Sequence, residues 1–102
     1  MTNTAYQTLI TALAKSDDNG YIHDLLSALL TEKEQAEVAN RVKIFALLQQ
    51  GLPQREIAER LGVGIATVSR GAKAYSQHEV NKLLPELQDT FWFFGSLQVI
   101  RF

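Results

Sequence analysis

Residues 54–73, QREIAERLGVGIATVSRGAK, constrain the fold of this chain more than any other stretch. Ile57, Ala58 and Leu61 fall at helical spacing and give a first short helix its inner face. Ile65 and Val68, three apart, give a second helix the same. Gly62 stands between them, where the chain must reverse, and only glycine enters a positive φ without steric cost. Ala58 is small where the two helices approach, and a larger side chain there would hold them apart. The spacing predicts a helix-turn-helix over about 54–73, the unit that sets one helix into the major groove of DNA. An ordinary helical hairpin would need the glycine. It would not need the small and apolar positions to agree with it.

The rest of the chain reads as helix. Tyr6, Leu9, Ile10, Leu13 and Ala14 predict an amphipathic helix over 3–15, broken by Ser16-Asp17-Asp18-Asn19-Gly20. Ile22, Leu25, Leu26, Leu29 and Leu30 give a second helix, roughly 21–30, an apolar face wide enough to be buried on two sides. Thr31 and Glu34 form a capping-box pattern that opens a third helix, 32–49, with Val38, Val42, Phe45 and Leu48 along one side. Gly51 and Pro53 close that helix and open the next. A last segment runs from about 78 to 94, where Leu83, Leu84, Leu87, Phe91 and Phe94 make a stripe up to Gly95. The end, Leu97-Gln98-Val99-Ile100-Arg101-Phe102, half alternates in the manner of a strand. The aromatic tail 91–102 is read as packing on its own core or on a neighbouring subunit, because it lacks the charged face of a membrane-surface helix. The expectation is an all-α fold, one domain over 1–102.

Composition bounds the function. A hydrophobic content of 46% excludes general disorder, and the absence of cysteine removes disulfides and thiolate metal sites. The N-terminus lacks the basic and apolar regions of a signal peptide, and no run reaches the roughly 20 apolar residues of a membrane span, so a cytoplasmic protein is expected. The net charge of −1 is unevenly spread. Residues 41–73 hold Arg41, Lys43, Arg55, Arg60, Arg70 and Lys73 against only Glu56 and Glu59, whereas the first 40 residues are acidic. A basic segment that coincides with the helix-turn-helix is what phosphate contact requires. Short helices with surplus apolar faces imply a homodimer, which would also set two reading helices one turn of DNA apart, about 34 Å.

An enzyme is not expected. The chain has only His23 and His78, no glycine-rich phosphate loop and no paired acid at catalytic spacing. Asp17-Asp18-Asn19 lacks the ligand spacing of a calcium loop. No cofactor or metal is implied. His78 is read as solvent-facing at a helix start.

LLTEKEQAEVANRVKIFALLQQG followed by QREIAERLGVGIATVSRG resembles the trp repressor family, above all in its Thr-x9-Arg spacing and its GIAT-[IV]-[ST]-R-G element. The resemblance covers roughly residues 22–75. It implies an intertwined helical homodimer that binds double-stranded operator DNA as a repressor, with L-tryptophan as corepressor and tryptophan biosynthesis genes as targets. In the family two arginines sandwich the indole, and Arg41 and Arg70 hold those places. A guanidinium plane stacks on an aromatic face and forks to a carboxylate. Thr31 matches a threonine that reaches the ligand carboxylate from the second subunit. Leu30 stands where a backbone carbonyl accepts from the ligand ammonium, and Gly71 allows close backbone approach. Arg41 could instead form a surface salt bridge, Arg70 a phosphate contact, and Thr31 could serve as a helix cap alone. For DNA the resemblance assigns Gln54 and Arg55 at the start of the first motif helix, and Gly64, Ile65, Ala66, Thr67 and Ser69 at the start of the second. The family is itself a known case of helix-turn-helix docking with water-mediated readout. The small side chains here fit readout through water and DNA shape.

The chain departs from the family in four places. Where the family continues R-G-S-N-x-[LI], this chain has Arg70-Gly71-Ala72-Lys73-Ala74-Tyr75. A hydroxyl that helps hold the ligand's amino group is therefore missing at Ala74. Lys73 adds a positive charge near the ammonium, where like charges about 4 Å apart repel by roughly 4 kcal/mol at an effective dielectric of about 20. The stretch from Gln49 to Pro53 is one residue shorter, which alters the spacing of the two guanidinium groups. Ala58 stands where a lysine is common. Ala74, Lys73 and the shortened turn keep open a related DNA-binding regulator with a different ligand or none; the other alternative is a protein-interaction module that has lost DNA binding, with the aromatic tail as its contact surface.

Overall fold

A computed structural model describes residues 3–89, so the aromatic tail 91–102, with Phe91 and Phe94, lies outside the described residues. The described chain is helical, with no strand. Its helices are α1 (Thr4–Lys15), α2 (Asn19–Leu29), α3 (Glu32–Gln49), α4 (Gln54–Leu61), α5 (Ile65–Gln77) and α6 (Val80–Leu83), followed by a 3-10 turn at Pro85–Asp89. Two compact units divide within α3, one ending at Ala36 and the other beginning at Glu37.

In the first unit the helix starts are written in side-chain caps. Asn3 accepts from the N–H groups of Ala5 and Tyr6 to open α1, and Asp18 accepts from those of Gly20 and Tyr21 to open α2. The Asp18 cap starts α2 at Asn19, two residues before the expected 21, so only Ser16–Asp18 separate the helices. The capping box forms as its pattern predicts. Glu34 N–H donates to Thr31 Oγ1 at 3.0 Å, and Thr31 N–H donates to Glu34 Oε1 at 2.8 Å. No residue of α1 or α2 is buried, and Tyr6, Ile10, Tyr21, Leu26 and Leu29 are exposed.

The second unit holds the core. Ile44 and Leu47 of α3, Ile57 of α4 and Val68 of α5 are fully buried against one another, each worth about 1.5–3 kcal/mol relative to exposure. Two glycine turns bring these helices together. At the end of α3, Gly51 has φ 85°, its N–H donates to Leu48 O, and Leu52 N–H reaches back to Leu47 O at 3.2 Å. This is a Schellman motif, and it folds Leu52 onto the core. At the end of α4, Gly62 is left-handed at φ 67°, and it turns Val63 back to donate to Ala58 O at 3.1 Å. Ala58 and Val63 both pack on the core cluster, as the small residue at 58 requires.

Three expectations change. Ile65 is half exposed rather than on the inner face of α5. It is the first residue of the helix, and Val63, delivered by the glycine turn, packs on the core in its stead. His78 ends α5 rather than starting a helix. The segment expected to be helical from 78 breaks at Leu84, because Pro85 removes an N–H and disfavours helical backbone at the residue before it. Leu83 is thereby exposed, while Leu87 joins Ala46 and Val80 in a second buried cluster flanked by Phe45 and Tyr75. Those two rings lie 5.9 Å apart between centroids, and burial pushes the Tyr75 phenol above its usual range.

Candidate nucleic-acid interface and ligand cleft

α3 and α5 meet at a glycine. A Cβ on Gly71 would stand 2.9 Å from Ile44 Cγ2 and 3.6 Å from Arg41 Cδ, so the close approach of the two helices depends on its absence. Beside this contact lies a cleft of about 380 Å³ lined by Glu37, Asn40, Arg41, Ile44, Val63, Thr67 and Arg70. That volume is near the lower end for small-molecule sites. Arg41, Arg70 and Gly71, assigned to ligand on resemblance, are therefore together. Ile44 and Val63 supply apolar wall, the arginines supply flat cations, and Glu37 supplies a carboxylate. Arg70 Nη2 donates to Thr67 Oγ1 at a long 3.4 Å, so Thr67 stands on the cleft wall as well as in the first turn of α5. Lys73 is exposed and does not line the cleft.

Leu30 and Thr31 belong to the first unit. Thr31 is occupied by its cap, and the Leu30 carbonyl accepts from Gln35 Nε2 at 3.2 Å, which leaves it one lone pair. Glu37 and Asn40 were not picked out in the sequence. Glu37 is one helical turn before Arg41, so the i, i+4 relation was the available signal.

The residues expected to meet DNA lie at the ends of α4 and α5. Gln54, Arg55, Gly64, Ile65, Ala66 and Ser69 are exposed, and Thr67 is half buried. Arg55 makes no hydrogen bond or ion pair among the described residues, which leaves its five donors for phosphate. Arg60, in contrast, pairs with Glu56 at 2.9 Å along the same helix. Gly64 caps α5 with its backbone only: its carbonyl accepts from Thr67 and Val68, and the N–H groups of Ile65 and Ala66 have no side-chain acceptor among the described residues. Ser69 Oγ donates to Gln54 Oε1 at 2.9 Å, which ties the start of α4 to α5.

The family described as "Trp repressor protein" matches residues 4–87. Proteins named Trp operon repressor homolog are similar to this chain. That of Chlamydia trachomatis serovar D is 40% identical over 72 residues, covering 70% of this chain and 77% of the relative. That of Aliivibrio fischeri strain MJ11 is 38% identical over 74 residues, covering 72% and 68%. That of Xylella fastidiosa strain M23 is 32% identical over 81 residues, covering 78% and 88%. No solved structure gives a significant match.

Proposed function

The chain belongs to the Trp repressor family, a family of transcription regulators, and from that premise we propose that it is a sequence-specific repressor activated by L-tryptophan. The observation that carries this reading is the shared cleft, in which Arg41 from α3 and Arg70 from α5 flank apolar wall from Ile44 and Val63. An indole between two guanidinium planes, with its carboxylate forked by one of them, matches that chemistry. Gly71 keeps the cleft narrow by letting α5 lie on α3.

The active form is an intertwined homodimer. α1 and α2 bury none of their residues in one chain, and water contact costs about 25 cal/mol for each Å² of apolar surface that a second chain could cover. In the dimer, Leu30 and Thr31 reach the ligand bound by the other chain. Ligand wedged between α3 and α5 fixes the α4–α5 pair at the spacing of successive major grooves, about 34 Å. Abundant tryptophan would thus silence the genes for its own synthesis. The work is done in the cytoplasm.

A second reading, a related regulator answering to another ligand or none, is favoured by Ala74 in place of a hydroxyl and by the acidic Glu37 in the cleft. Selection of duplexes from a randomised library, followed by binding titrations with and without L-tryptophan, separates the readings. The expected result is tighter DNA binding with L-tryptophan. Equal binding in its absence favours the second reading, and failure to select any duplex removes both.

A further inference from the structure

The bond between Ser69 and Gln54 divides labour between two residues that sequence resemblance assigns alike to DNA. Ser69 Oγ donates to Gln54 Oε1 at 2.9 Å across 15 positions of sequence. A serine hydroxyl has one donor, and here it is spent. Phosphate oxygens present acceptors only, so a Ser69 held in this way has no donor to offer them. Gln54 is in the opposite state. Its carbonyl oxygen is engaged, while the two N–H donors of Nε2 make no bond among the described residues. Gln54 is also the first residue of α4, exposed beside Arg55, which has no partner among the described residues. A glutamine free to turn about three side-chain bonds loses much of that freedom on docking, and a partner that holds it in place beforehand reduces the loss.

We infer that Ser69 is a positioning residue rather than a DNA contact: it aims the amide N–H groups of Gln54 at a hydrogen-bond acceptor on DNA, and the pair acts as one unit. The inference rests on the DNA-binding reading. The acceptor is a phosphate oxygen or a purine edge, either of which takes an N–H donor.

The test uses the full chain and a duplex selected with the wild-type protein in the presence of L-tryptophan. Binding is compared for Ser69→Ala, Gln54→Ala, the double variant and Ser69→Thr. Ser69→Ala and Gln54→Ala should each weaken binding about fivefold, and the double variant should bind no worse than Gln54→Ala alone. Ser69→Thr, which keeps the hydroxyl, should bind as wild type. Reselection with Ser69→Ala identifies the acceptor: a relaxed preference at one base pair indicates a purine edge, and unchanged preference with uniform weakening indicates phosphate. If Ser69→Ala weakens binding equally with and without Gln54, Ser69 touches DNA itself and the inference is overturned. It is overturned too if Ser69→Ala has no effect. If wild-type protein selects no duplex, the DNA-binding reading fails first, and the inference with it.

Discussion

Gly71 shows how one missing methyl group places the cleft between α3 and α5. Its Cα lies so near α3 that an added Cβ would press on Ile44 Cγ2 at 2.9 Å, and Ile44 is fully buried and cannot yield. Gly71→Ala is therefore expected to lower the unfolding free energy by about 1–2 kcal/mol, overpacking being partly offset by the better helix propensity of alanine. Ile44→Leu moves the branch off Cβ, so the double variant should recover part of the loss in thermal unfolding. Equal melting of Gly71→Ala and wild type would contradict this contact. At the same scale Arg70→Ala should abolish the response to L-tryptophan; retained tryptophan-dependent DNA binding would remove the arginine pair from the ligand site. The glycine after Arg70 was legible in the sequence as a place of close approach. Glu37 and Asn40 were not, because a cleft wall forms only when α3 and α5 pack, and the i, i+4 relation of Glu37 to Arg41 marks a shared helix face rather than that packing.

The third helix was legible to the residue, since Thr31 and Glu34 mark its start chemically and Gly51 marks its end. The last segment was not: the leucine spacing marks an apolar face over 78–94, whereas in the chain Pro85 ends the helix. α4 and α5 form the proposed reading unit, and two of their residues make separable demands. Arg55 has no hydrogen bond or ion pair among the described residues, so Arg55→Ala should weaken DNA binding uniformly across sequences and reduce the salt slope by about one. An unchanged slope would take Arg55 off the phosphates. Thr67 stands both on the cleft wall and in the first turn of α5, hydrogen-bonded to Arg70. Thr67 Oγ1 is the acceptor in that bond, and a ligand carboxylate that claims Arg70 would break it and free the Thr67 side chain to turn toward DNA. Thr67→Val should then lower DNA affinity only in the presence of L-tryptophan, shrinking the ratio between liganded and free protein. An equal loss in both states would make Thr67 a plain DNA contact.

The whole molecule is organised around unequal halves. The unit from Glu37 onward has buried clusters, while α1 and α2 bury nothing and expose Tyr6, Ile10, Tyr21, Leu26 and Leu29. Surplus apolar faces were legible from helical spacing; which partner covers them is not written in one chain's periodicity. If a second copy does, unfolding should depend on protein concentration and Leu29→Glu should shift the chain from dimer to monomer in sedimentation. A wild-type monomer at micromolar concentration would contradict the intertwined form. The central claim, that the Arg41–Arg70 cleft takes L-tryptophan, is tested most directly by isothermal titration of the protein with that amino acid. Calorimetry avoids the fluorescence of Trp92. Saturable heat at one ligand per chain, lost in Arg70→Ala, is the result this account expects. No heat at two temperatures with millimolar ligand would contradict it and leave a DNA-binding relative whose cleft serves another molecule or none.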